Sequence, residues 1–192
     1  MNVSREEAAQ ALADIGKARE RIVQLKGYHH GAPHFIVWGL VWLFANTITQ
    51  FWPEQQRFAW PLAVAIGVIA GFTIGYLQSR RSRQGTPAAK RERWIGSRLS
   101  ATAVVMFGFI VCVLAIAQPE TSREGNAIVS IFFPFAYMAC GLWAGRRLFV
   151  IGIVTAVAIM AGYFLIQGYF SLWMGVFGGG SLIAGGIWLR TA

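Results

Sequence analysis

"GYHHGAPHFIVWGLVWLF", residues 27–44, decides how this chain is organised. It gathers all three histidines, His29, His30 and His34, at the threshold of an apolar run. Gly27 is suited to the residue just past a helix end, where a left-handed backbone is needed. Residues 28–32 read as a short polar link. Pro33 has the fixed φ that opens a helix and lacks only an N–H that the first turn leaves unpaired anyway. The stretch therefore predicts that one helix stops at Lys26 and that a membrane span starts at His34.

Composition supports a span. Of 192 residues, 56% are hydrophobic and 13% charged, with mean hydropathy +0.51. A soluble domain carries about 25% charged residues. From Phe35 onward the apolar runs are about 20 residues long, enough to cross roughly 30 Å of hydrocarbon. The predicted architecture is an all-α polytopic membrane protein with six transmembrane helices, at about 34–52, 58–78, 99–117, 126–145, 148–167 and 169–189. A cytoplasmic amphipathic helix (1–27) and a linker (28–33) precede this domain (34–192). The first 27 residues are charged throughout and lack the apolar core of a secretory signal. Cys112 and Cys140 lie in apolar runs and read as small packed hydrophobes.

The net charge of +9 is sorted along the chain. All lysines and arginines except Arg57 and Arg123 fall in the N-terminal segment, in loop 79–98, in the turn at Arg146 and Arg147, or at Arg190. The positive-inside rule places these together in the cytoplasm. Both termini are then cytoplasmic, as an even number of spans requires, and the expected location is the inner membrane. Trp52 and Trp60 bracket the first outer turn, while Trp94, Trp143 and Trp188 fall near the inner face, where an amphipathic ring is at home.

The spans pair into three hairpins. The outer turns "QFWPEQQ" (50–56) and "AQPETSR" (117–123) share Pro-Glu; the third, "IQGYFS" (166–171), lacks it. The second helix of each hairpin is glycine-rich, with Gly67, Gly71 and Gly75, then Gly141 and Gly145, then Gly175 and Gly179 within "GVFGGG". Glycines four apart share a face and let a neighbouring backbone approach closely, so the even-numbered spans are expected to pack on one another. Span six, interrupted at its glycines, has cavity lining as its alternative role. With its Pro-containing turns and "AIGVIAGFTIGYL" and "GGGSLIAGGIWL", the chain resembles the six-span HdeD-type acid-resistance membrane proteins, built from two-helix repeats. That resemblance implies a fold rather than an activity and covers the spans, not the first 27 residues.

Two cytoplasmic features carry partner expectations. Ser4 and Glu7 form a capping box, and Ala8, Ala11, Ile15, Ala18, Ile22 and Leu25 follow at alternating three- and four-residue spacing. This alanine-rich seam suits a second helix, from the same protein, another copy or a partner. Loop 79–98 holds Arg80, Arg81, Arg83, Lys90, Arg91, Arg93 and Arg98. Such a polybasic stretch attracts anionic lipid headgroups by about 1 kcal/mol per residue. Nucleic acid is not the expected partner, since Gly85 and Pro87 interrupt a segment too short for a recognition fold.

No Asp, Glu, Lys or Arg falls mid-span, unlike in most ion-coupled transporters. A zinc site at His29, His30 and His34 has no nearby Cys or acid to complete it, and bis-histidine haem needs histidines on separate spans. No cofactor is expected. Asn46 and Gln50, four apart, share one face of span one, fit for interhelical hydrogen bonding or an outer vestibule for a neutral solute. The sequence thus favours a non-enzymatic structural, accessory or stress-response membrane protein acting through protein or lipid contacts. Its alternatives are a small channel or transporter for a neutral or lipidic substrate and, further off, a metal- or haem-binding protein using the histidines.

Overall fold

In the computed structural model, residues 5–81 and 87–191 are described. Among them every regular element is helical. The order is α1 (Arg5–Phe51), a 3-10 turn (Pro53–Gln55), α2 (Gln56–Arg81), α3 (Pro87–Ala117), α4 (Ser122–Ala144), α5 (Arg146–Leu165), the short α6 (Phe170–Trp173), a π-helical segment (Met174–Gly179) and α7 (Gly180–Arg190). Among the described residues five helical stretches are long and apolar enough to cross a membrane: Leu25–Phe51, Pro53–Arg80, Ser122–Trp143, Arg146–Leu165 and Phe170–Arg190. The apolar part of α3, Val104–Ala117, is shorter.

The break expected at residues 27–33 does not form. α1 is a single helix of 47 residues with Pro33 inside it, about 70 Å long at 1.5 Å per residue. The reason is burial. Tyr28 and Ala32 pack with Ile151 of α5 and Leu189 of α7, and tertiary packing overrides the weak local preferences of Gly27, Gly31 and Pro33. Beside the proline, Gln78 Nε2 of α2 donates to the carbonyl of His30 at 3.1 Å. The bond ties α2 to this stretch; the carbonyl that Pro33 itself leaves without a helical donor is that of His29. The proposed linker 28–33 is thus part of the bundle, and the capping Ser4 lies outside the described residues.

The polybasic loop is also largely helix. Pro87 opens α3, and "PAAKRERW" supplies good helix formers that run directly into the apolar stretch. Lys90, Arg91, Arg93 and Arg98 therefore ride on the first turns of α3 rather than on a loop.

α1 is the spine of the bundle. It meets α2 on one side and the π segment and α7 on another, while α5 packs on both α4 and α7. Two aromatic pairs join α1 to α4: Trp42 edge-on to Phe133 at 5.6 Å, and Phe35 to Tyr137 at 4.7 Å. α3 leans on α4, with Phe109 against Phe132 at 5.6 Å.

The glycines do not join even-numbered helices to one another, as the sequence led one to expect; they face α1 or α5. A Cβ on Gly39 of α1 would stand 2.7 Å from the carbonyl oxygen of Gly179, and one on Gly179 would stand 2.7 Å from that of Gly39. Lower on the same seam, Gly186 lies 2.9 Å, by the same measure, from the Ala32 carbonyl. Gly175 abuts Leu43 and Asn46; Gly67 faces Val41 and Trp38; Gly71 faces His34. Gly141 is pressed on the Phe149 backbone of α5, and Gly75 meets nothing within 4 Å. Gly145 has a different role: with φ 123° it makes the turn between α4 and α5, a conformation open to glycine.

Among the described residues, small or polar side chains such as Ala32, Ala45, Ala63, Asn46, Ser130 and Thr155 are buried alongside large ones such as Trp42, Ile159, Met174 and Leu182. Leu62, Ile69, Phe72, Val104 and Val105 face outward. That outward apolar surface suits a lipid solvent, in which close backbone packing replaces apolar burial as the source of cohesion.

Gly39→Ala is expected to lower the thermal-unfolding midpoint in detergent, through an overpacking cost of about 1–3 kcal/mol. Gly75→Ala, at an open position, is expected to leave it unchanged. Equal shifts in the two variants would contradict the seam.

Candidate functional site

Three turns gather at the end of the bundle remote from Arg5. Each turn is built locally. Pro53 starts the 3-10 turn after α1. Thr121 caps α4 by accepting the Glu124 N–H at 3.2 Å, while the Glu124 carboxylate accepts the Glu120 N–H at 3.0 Å. α6 begins at Phe170, which is buried.

Side chains then tie the turns together. Gln56 Nε2 donates to Ser122 Oγ at 3.2 Å. Gln50 uses both ends of its amide: Nε2 donates to the Gly168 carbonyl at 3.2 Å, and Oε1 accepts the Leu172 N–H at 3.3 Å. Trp60 Nε1 donates to Thr49 Oγ1 at 3.0 Å. Between these ties lies an open cleft of about 180 Å³, walled by Thr49, Gln50, Gln56, Ser122, Arg123 and Gln167 among others.

One turn deeper along α1, Asn46 is fully buried. Its Nδ2 donates to the Trp42 carbonyl at 3.0 Å, and its Oδ1 accepts from Asn126 Nδ2 at 2.7 Å. Ser130 Oγ donates to Asn126 Oδ1 at 3.0 Å. This chain links α1 to α4 in the apolar interior. A second polar contact links α5 to α7: the Thr155 and Ser181 hydroxyls stand 3.0 Å apart, and Ser181 donates to the Gly178 carbonyl at 2.8 Å, inside the π segment. No buried side-chain N or O among the described residues lacks a partner.

Asn46 and Gln50 thus make interhelical hydrogen bonds, and Gln50 also lines the cleft. Gly175, Gly178, Gly179 and Gly186 of the last span abut α1, with a Cβ on Gly178 standing 3.0 Å from the Trp42 ring and Gly179 seated on Gly39, while Gly185 meets Ile151 of α5 and Gly180 is open. Those in contact pack rather than line a cavity.

The histidines remain apart in role. His30 Nδ1 lies 2.9 Å from the Lys26 carbonyl, His29 is exposed, and His34 faces Gly71 of α2. Among the described residues no group of three or more His, Cys, Asp or Glu is placed to hold a metal. Along the seam, Ala11, Ile15, Ala18 and Ile22 are exposed and Leu25 is half-buried; the side chain of Ala8 is outside the described set. Arg80 is exposed, with its guanidinium 5.7 Å from the Tyr76 ring centre, and Arg98 is exposed. Arg83 lies outside the described residues, as do the side chains of Arg81, Lys90, Arg91 and Arg93.

The sequence marks Arg123 only as an outer-loop charge and carries no local signal for Gln56, Ser122 and Gln167. Their convergence depends on how three turns, far apart in the chain, meet. The seam residue Gly39 was also missed, because it is a lone glycine in span one with no small neighbour at four-residue spacing.

No protein-family model matches the chain, and no curated protein or solved structure matches it.

Replacing Asn46 and Asn126 by Leu, singly and together, is expected to give a double-mutant coupling of about 0.6–1.7 kcal/mol, the range of interhelical hydrogen bonds in a bilayer. Strict additivity in reversible detergent unfolding would contradict the link.

Proposed function

We propose that the chain is a six-span, non-enzymatic protein of a bacterial inner membrane, with both termini in the cytoplasm, and that it works as an accessory or structural component through its N-terminal helix. The observation that carries this reading is the continuity of α1. Its first twenty or so residues leave the bundle as a helical extension of the central spine. On that extension Leu12 is 70% exposed, Ile15 64% and Ile22 54%. Covering such side chains is worth about 1.5–3 kcal/mol each. Ala11, Ile15, Ala18 and Ile22 share one helix face, the geometry of a helix-pairing seam.

The charge sorting supports the orientation, since Arg146, Arg147 and Arg190 stand at the same end as the N-terminal helix. Arg147 even donates to the Trp188 carbonyl across α5 and α7. Val104–Ala117 serves as the core of the remaining span, lengthened by the preceding turns of α3. The basic residues at 80–98 then sit at the cytoplasmic surface, where they hold anionic lipid. The resemblance to HdeD-type proteins points to a stress-response setting for such a component. A transport role is less well supported, because Gly175, Gly178, Gly179 and Gly186 of the last span are pressed against α1.

Ile15→Glu combined with Ile22→Glu alters two exposed positions and is expected to leave thermal stability unchanged. The same variant is expected to remove the principal partner, whether protein or second copy, in cross-linking from intact membranes. An unchanged cross-linking pattern would sink the partner reading. Accessibility tags at residue 91 and at the amino terminus are expected to report the same side of the membrane; opposite sides would overturn the topology.

A further inference from the structure

The cleft between the three turns has the features of an anion seat. Arg123 lines it, half-buried, with its guanidinium 5.2 Å from the centre of the Tyr163 ring. It makes no ion pair with a carboxylate among the described residues. Ser122, bonded as an acceptor by Gln56, keeps its own hydroxyl proton to donate. Both residues stand on the first turn of the 23-residue α4, whose opening N–H groups lack partners within the helix. Gln56, Gln167 and Ser171 add amide and hydroxyl groups to the wall. Of the nearest carboxylates in sequence, that of Glu124 accepts the Glu120 N–H, and neither Glu120 nor Glu124 lines the cleft.

The turn that closes this cleft has an apolar groove on its other side. It also measures about 180 Å³ and is lined by Ile166, Tyr169, Leu172, Trp173, Val176 and Phe177. Its floor is preformed: Trp173 stacks on Phe177 at 3.8 Å and 28°, and its Nε1 is anchored on the Ala158 carbonyl at 2.7 Å. A cation with hydroxyl and amide donors, next to an open apolar groove along residues 166–177, matches an anionic head and its acyl chain. Trp60, bonded to Thr49 on the cleft wall, marks the boundary depth.

We propose that the cleft seats the phosphate of a phospholipid from the adjoining leaflet, with Arg123 as counter-charge and one acyl chain laid along the groove of residues 166–177. Arginine suits the task because its planar fork meets two phosphate oxygens at once.

The test is native mass spectrometry of the full chain released from detergent with added lipid, comparing phosphatidylglycerol with diacylglycerol, which lacks the phosphate. Wild-type protein is expected to retain phosphatidylglycerol and not diacylglycerol. Arg123→Gln is expected to weaken retention about tenfold, the loss of one charge-assisted contact. Arg123→Lys is expected to recover part of it. Arg57→Gln, at the same end but stacked on Phe58 and not part of the cleft wall, is expected to bind as wild type. Equal loss in the two glutamine variants, or no loss in either, would overturn the proposal. So would equal retention of phosphatidylglycerol and diacylglycerol by wild type, a result that needs no variant to fold. Competition by glycerol phosphate as strong as by the intact lipid would assign the cleft to a soluble phosphate and refute the lipid.

Discussion

The close approach of α1 to the last span is the constraint on which the rest of the bundle rests. At Gly39 and Gly179 two backbones meet with no room for a Cβ on either. In hydrocarbon, apolar side chains gain nothing by leaving lipid for protein, so contact area at close range and a few buried hydrogen bonds must hold the helices. The seam supplies the first and the Asn46–Asn126–Ser130 chain the second. The same seam, continued through Ala32 and Gly186, buries the stretch around Pro33 and so keeps α1 unbroken.

The candidate site follows from this arrangement. With α1 fixed against the last span, Gln50 at its upper end holds the turn at Gly168 with its Nε2 and accepts from Leu172 of α6 with its Oε1. α5, packed on both α4 and α7, brings the start of α4 to the same place. Arg123, Ser122 and Gln56 then converge from turns distant in sequence. At the opposite end α1 simply continues beyond the bundle, and its exposed apolar face is the consequence of a spine longer than the spans it supports.

The helical, membrane-spanning character was legible in composition and in runs of apolar residues, because hydrocarbon imposes length and charge constraints that single residues report directly. The helix boundaries were less so. Gly27 and Pro33 carry local signals for an end and a start, yet Tyr28 and Ala32 are buried, and burial prevailed. Pro87, beside Gly85, reads locally as a loop residue, yet it opens a helix. Glycine content identified close packing but not its partner: Gly67, Gly71 and Gly179 all face α1, whose own contribution is the single Gly39. The pairing of Asn46 with Gln50 was visible as a polar face. Arg123 was not, since nothing local distinguishes a cleft arginine from any charge in a turn.

The continuity of α1 is tested most directly by a distance between spin labels placed at Leu12 and Phe44, both exposed, with Cys112 and Cys140 replaced by Ser. An unbroken helix predicts a narrow distribution centred on about 48 Å between these backbone positions, at 1.5 Å per residue. A broad distribution at markedly shorter separation would mean that the chain bends at residues 27–33, and would contradict the spine on which the packing and the N-terminal arm depend.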